Sequence, residues 1–88
     1  MTWSVEWDER ARRELRRLDP AVQRQILGYL RQRIVGPADP RRFGRPFSGG
    51  KQGLWRYRLS AYRLVCRIEE ERLVVLVLAV GHRKEVYE

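Results

Sequence analysis

Hydrophobic and polar positions change period four times along this chain, and each change marks an element. From Trp3 to Trp7 large apolar residues alternate with polar ones, the period of a strand with one buried face. Asp8 then offers a side-chain oxygen to cap a helix, and Glu9 suits its first turn. Ala11, Leu15 and Leu18 fall on one helical stripe while Arg10, Arg12, Arg13, Arg16 and Arg17 point elsewhere. Asp19-Pro20 stops this helix and starts the next, because proline suits a first helical position. Val22, Ile26, Tyr29, Leu30 and Ile34 form a second stripe running to about Val35. Two amphipathic helices with so short a link predict a helical hairpin.

Gly36 to Gly53 breaks the pattern with Pro37, Pro40, Pro46 and five glycines, and with Arg41, Arg42, Arg45 and Lys51 among them. We read it as a basic loop, with Phe43 and Phe47 as its anchors to the body; loops of this length are commonly functional or mobile. Three strand-like segments follow. Leu54–Leu59 and Tyr62–Glu69 alternate, whereas Leu73–Val80 is apolar throughout and stops at Gly81-His82-Arg83. Glu69-Glu70-Glu71 is a solvated acidic turn, and Glu85–Tyr87 has room for a short last strand. The order predicts an α+β fold: an N-terminal strand and helical hairpin packed on a small, mostly antiparallel sheet. The continuous apolar run is expected to be its central strand, covered on both faces.

Length and charge narrow the reading. Eighty-eight residues make one domain, 1–88. A chain this short buries only about 60–65% of its unfolded surface, so a partner readily adds to its stability. Net charge is +8, and seventeen of the nineteen basic residues are arginine. Arginine offers a planar, permanently charged fork that suits phosphate and stacks on bases. Either the chain has a polyanion partner, nucleic acid foremost, or it has a generally basic surface from an arginine-rich genome. Cys66, the single cysteine, excludes an intramolecular disulfide and sits in a strand pattern that suits a buried thiol. No signal-peptide core and no apolar run of about 18 residues is present, so a cytoplasmic, membrane-free location is expected.

Candidate chemistry gathers in the last third. With Leu59-Ser60-Ala61-Tyr62 as the hairpin turn, Arg58 faces Arg63 and Arg56 faces Val65. Side-chain alternation then puts Arg56, Arg58, Arg63 and Arg67 on one face, and Trp55, Tyr57, Leu59, Tyr62, Leu64 and Cys66 on the other. Opposed like charges cost stability, so such a cluster favours a bound anion; a solvated face of spaced arginines is the plainer alternative. His82 is a lone imidazole at a strand end, structural or chemical. No second histidine supports a metal site, no serine sits on a nucleophile turn, and Gly49-Gly50-Lys51 lacks the spacing of a phosphate-binding loop. No metal or cofactor is expected.

The ordered set Gly53-Leu54-Trp55-Arg56-Tyr57-Arg58, then Tyr62-Arg63, then Gly81-His82-Arg83 with Val86-Tyr87, resembles the RelE-type toxins of the RelE/ParE toxin–antitoxin superfamily. The opening from Trp3 to Asp19 resembles that family's first strand and helix. The resemblance covers nearly the whole chain and implies a RelE-like, microbial-ribonuclease-type fold. It also implies a toxin that cleaves mRNA in the ribosomal A site and is held inactive by an acidic antitoxin. The implied chemistry is metal-independent attack of a ribose 2′-hydroxyl on the adjacent phosphate, giving a 2′,3′-cyclic phosphate. The implied catalytic set is Arg63, Arg83, Tyr87 and His82: the arginines hold the phosphate, Tyr87 stacks or relays a proton, and His82 offers acid–base chemistry. Arg56, Arg58, Lys51 and Arg45 form the RNA-binding set. Expected partners are the antitoxin, the ribosome and mRNA, with operator DNA reached through the antitoxin. The alternatives are a ParE-like gyrase inhibitor on the same fold, or an inactive RNA-binding homologue. Three departures from the family stand out. Arg56 and Arg58 replace frequent lysines, which removes a general-base candidate; Ser60-Ala61 replaces a frequent Gly-Asp; and the chain stops at Glu88, before the C-terminal helix of some members.

Overall fold

The computed structural model describes residues 1–47 and 53–82. Strand β1 (Ser4–Trp7) leads into helices α1 (Glu9–Arg16) and α2 (Pro20–Arg33). A 3₁₀ turn (Pro40–Phe43) and strand β2 (Arg45–Pro46) follow, then β3 (Leu54–Leu59), β4 (Tyr62–Glu69) and β5 (Val74–His82). The five strands form one sheet in the order β1-β5-β4-β3-β2, with β1 parallel to β5 and every other pair antiparallel.

Both helices begin as the caps predict: Asp8 accepts from the Arg10 N–H at 3.1 Å and Asp19 from the Ala21 N–H at 3.3 Å. The Gln23 side-chain amide donates to the Leu18 carbonyl at 2.8 Å and closes the link between them. Ala11 and Leu15 of α1, with Ile26 and Leu30 of α2, bury themselves on one side of the sheet against Tyr57, Leu64, Cys66, Val75, Val77 and Val80. No charged side chain is buried among the described residues. None of their helices is long and apolar enough to cross a membrane.

Three expectations are corrected. The apolar run is internal but not central: β4 is the middle strand, because β1 adds outside β5. Only one face of β5 is helix-covered, so Val75, Val77 and Val80 are buried while Leu76, Leu78 and Ala79 are half-buried. The strand also continues through Gly81 and His82. The segment 36–47 is more ordered than a loop. Asp39 caps the 3₁₀ turn through the Arg41 N–H at 3.0 Å, and the buried Tyr57 hydroxyl donates to the Pro40 carbonyl at 2.8 Å. Gly44 packs so closely on Tyr57 that a Cβ would lie 2.9 Å from the ring. The acidic turn is solvated as expected, and Glu69 and Glu70 are also ion-paired. Arg72 bridges Glu69 and Glu6, the latter at 3.1 Å, and Arg41 reaches Glu70 at 2.8 Å. The expected strand at Glu85–Tyr87 lies outside the described residues.

One irregularity decides what each face of β5 carries. Val65 pairs with Ala79, but Cys66 pairs with Val77, so Leu78 is an extra residue in β5. Such a bulge inverts the alternation beyond it. β1 ends opposite Val77, leaving the next stretch of β5 without a strand on that side. Helix α1 covers it, and the Glu14 carboxylate accepts the Val80 N–H at 2.9 Å.

Two outcomes are expected from this architecture. Glu14→Ala, which strips that buried-edge amide of its acceptor, should cost about 1–3 kcal/mol in urea unfolding, and Glu14→Gln should recover most of it. Burial raises the Tyr57 phenol above the ordinary tyrosine range. The folded state therefore holds that proton more tightly than the unfolded chain. Its contribution is intact below about pH 10 and is lost as pH rises through the folded value. Urea midpoints should fall above pH 10, and Tyr57→Phe should flatten that slope while lowering neutral stability.

Candidate nucleic-acid interface

The side of the sheet away from the helices is built by strand alternation. Arg58 pairs with Arg63, Arg56 with Val65, and Leu54 with Arg67, the register expected from the Leu59–Tyr62 turn. Ser60 makes that turn with φ +56°, positive at the first loop position as in a II′ turn, where glycine is usual. β2 adds Arg45 opposite Arg56. Arg45, Arg56, Arg58, Arg63 and Arg67 thus share one face. Between them runs an apolar lane of half-buried Val65, Leu76 and Ala79, placed by the Arg67–Leu76 and Val65–Ala79 pairings.

Arg63 and Arg56 are the inner members of this cluster, both half-buried, and Arg63 lies on the middle strand. Its Nη1 donates to the Tyr62 carbonyl at 3.2 Å, and its cross-strand partner is Gly81. A glycine there presents no side chain to compete for the guanidinium. Glu6 and Glu69 are on the same face but at the opposite end, where Arg72 binds both. The face is therefore polarised: arginines toward the hairpin tip, a self-neutralised cluster toward the β4–β5 turn.

His82 is elsewhere. It pairs with Tyr62, on the face that carries Leu64 and the helices, and its ring meets Tyr62 edge-on with centroids 5.6 Å apart. The Leu78 bulge is the reason; were Leu78 paired in regular alternation instead of bulged, His82 would share the face of Arg63. The structure thus brings together Arg45, Arg56, Arg58 and Arg63 and separates His82 from them. Lys51, Arg83 and Tyr87 lie outside the described residues.

Two side chains were not singled out by sequence. Arg67 was placed on the face but assigned no role, and Glu14 was overlooked because an acid on an arginine-rich helix reads as a surface partner for Arg10. It does pair with Arg10, at 3.1 Å, while its other oxygen takes the strand amide. Cys66 is fully buried, and burial raises its thiol far above the usual range, which leaves it inert as a nucleophile. Among the described residues no three of His, Cys, Asp and Glu converge as a metal-ligand set.

Chemically, a row of guanidinium forks beside an apolar lane suits a single-stranded polyanion, with phosphates on the arginines and bases over the lane. Comparison with known proteins agrees with the fold and narrows the family. The family model described as the ParE toxin of the parDE type II toxin–antitoxin system matches residues 5–87. Toxin RelG of Mycobacterium tuberculosis is 30% identical over 87 residues, covering 99% of this chain and 98% of that protein. The mRNA interferase toxin RelE of Escherichia coli is 33% identical over 91 residues, covering 99% and 92%. Among solved structures, the RelBE2 toxin–antitoxin complex of M. tuberculosis superimposes with a TM-score of 0.79 at 29% identity, covering 94% of this chain and 100% of that one. The intact E. coli RelBE complex gives 0.75 at 29% identity, covering 91% and 95%. A chain matched in this way from end to end belongs to the RelE/ParE superfamily, as a RelE-type toxin of a type II toxin–antitoxin system.

Proposed function

We propose that this toxin is a ribosome-dependent mRNA endoribonuclease. The observation that carries the reading is Arg63 set between a row of arginines and the side-chain-free Gly81. In this reading Arg63 takes one phosphate within a track for several. The name of its E. coli relative, an mRNA interferase, points the same way.

In this reading the message enters the ribosomal A site and lies along the open face. Arg45, Arg56 and Arg58, with Lys51 from the basic segment, follow its backbone. Arg63 and Arg83 hold the scissile phosphate. The ribose 2′-oxygen attacks phosphorus and the P–O5′ bond breaks, leaving a 2′,3′-cyclic phosphate and a 5′-hydroxyl. The 2′-hydroxyl loses its proton to a base as the leaving 5′-oxygen gains one. Negative charge builds on the non-bridging oxygens, where arginine donors contribute more than they do to the ground state. The chemistry assigned to the protein's own groups needs no metal. Tyr87, carried by the resemblance, stacks on a base or relays the proton. The face that His82 occupies counts against it as the base, and we assign it to positioning the end of β5 through Tyr62. The solved relatives are toxin–antitoxin complexes; an antitoxin of this chain, acidic to match its charge, would cover the arginine face and bring the pair to operator DNA. The cytoplasm is where such a toxin meets translating ribosomes.

Primer extension on a reporter mRNA in a translating bacterial extract tests this. Discrete cuts within A-site codons are expected with wild type and not without ribosomes. Arg63→Ala should cut about 10²–10³-fold more slowly, the loss of one transition-state donor, while His82→Gln keeps most of the rate. Intact message despite growth arrest in cells would overturn the reading and favour gyrase, the alternative that the family resemblance implies. A second measurement needs no ribosome. Arg58→Gln removes one of two opposed charges, so the free protein should gain about 0.5 kcal/mol at low salt, and the gain should fade near 1 M salt.

A further inference from the structure

Arg67 shares the open face with Arg45, Arg56, Arg58 and Arg63 but stands apart from them. It lies on β4, four residues beyond Arg63 and away from the hairpin tip, between Leu54 of β3 and Leu76 of β5. Four strand residues span about 13 Å. The Arg63 guanidinium is tied back to the Tyr62 carbonyl, on the tip side, so the two arginines are set to hold different phosphates.

The neighbours of Arg67 keep its guanidinium available. Arg67 is exposed, and it forms no ion pair with any described residue. Two acids stand near it on the same face: Glu69, two residues along β4, and Glu6 of β1, opposite Leu76. Residues two apart on a strand are only about 7 Å apart, near enough for Glu69 to take Arg67. Arg72 prevents this. Its Nε donates to Glu69 at 2.8 Å and its Nη2 to Glu6 at 3.1 Å, so both carboxylates are engaged elsewhere. With two carboxylates to one guanidinium, the cluster beyond Arg67 is net acidic and turns a phosphate chain away. Arg67 is thus the last arginine of the row before the acids. The half-buried Leu54 and Leu76 on either side of it offer apolar surface to a base.

We propose that Arg67 is a second phosphate-binding point for single-stranded RNA, holding the message at a phosphate away from the one that is cut. This rests on the endoribonuclease reading above and extends it. The message is then gripped at two separate places on β4, one for chemistry and one for affinity.

The test is single-turnover cleavage on ribosomes carrying a defined message in the A site, with toxin concentration varied. Arg67→Gln should raise the half-saturating concentration about three- to tenfold, the loss of one exposed charge-assisted contact, and should raise it more than it lowers the maximal rate. Arg67→Lys should recover most of that loss, and neither variant should move the thermal midpoint of the free toxin. Messages in which one phosphate at a time is replaced by a neutral methylphosphonate locate the contact. With wild type, one position away from the cut should show a loss of the same size; with Arg67→Gln that position should cost nothing further. Cleavage by Arg67→Gln at the wild-type half-saturating concentration overturns the proposal, and assigns Arg67 to the antitoxin if antitoxin binding is weakened instead. So does a defect that adds in full to that of every methylphosphonate, which makes Arg67 a contact to ribosomal RNA. Absence of cleavage by wild type itself overturns the endoribonuclease reading as a whole, an outcome distinct from any difference between variants.

Discussion

One inserted residue, Leu78, governs how the last strand distributes its side chains, and the two faces of the molecule depend on it. On the near side of the bulge Val75 and Val77 point to the helices; on the far side Val80 and His82 do. The inversion gives the core Val80 and gives the arginine face Ala79 and Gly81, small residues beside which Arg63 can act. Glu14 answers the amide of Val80, at an edge that β1 is too short to cover. A carboxylate on α1 therefore supports the geometry at the end of β5. Its effect on chemistry would be felt through the strand rather than by contact with a message.

Charge is distributed by the same sheet. Exposed ion pairs contribute little to stability, about 0–1 kcal/mol each. Their consequence here is spatial. Arg72 and Arg41 are drawn to Glu6, Glu69 and Glu70 at one end, while Arg58 and Arg63 stand opposed at the other. A protein of net charge +8 could spread its field evenly. Here exposed arginines also line α1, and those of the open sheet face are set apart by the apolar lane that runs between them.

The hairpin register and four of its arginines were legible because Leu54–Glu69 alternates strictly, and Asp8 and Asp19 announced their helices for reasons of local hydrogen bonding. The bulge was not legible. A run in which every residue is apolar has no phase, so adding one residue changes nothing visible, and the face of His82 could not be read. The 3₁₀ turn was legible in principle: Asp39-Pro40 repeats the Asp19-Pro20 signal, but glycines and prolines around it suggested a loop.

The parallel pairing of β1 with β5 has a consequence for the life of the chain. Ser4 finds Val74, and Trp7 finds Val77, across nearly the whole sequence. During synthesis the first strand emerges early and has no partner until the last strand follows, and contacts of such long range form late and slowly. The helical hairpin can wait half-assembled, but the sheet that carries the arginines is incomplete until β5 has emerged and joined β1. Until then the arginine face is not assembled, and that interval is a time in which a partner can reach the chain first.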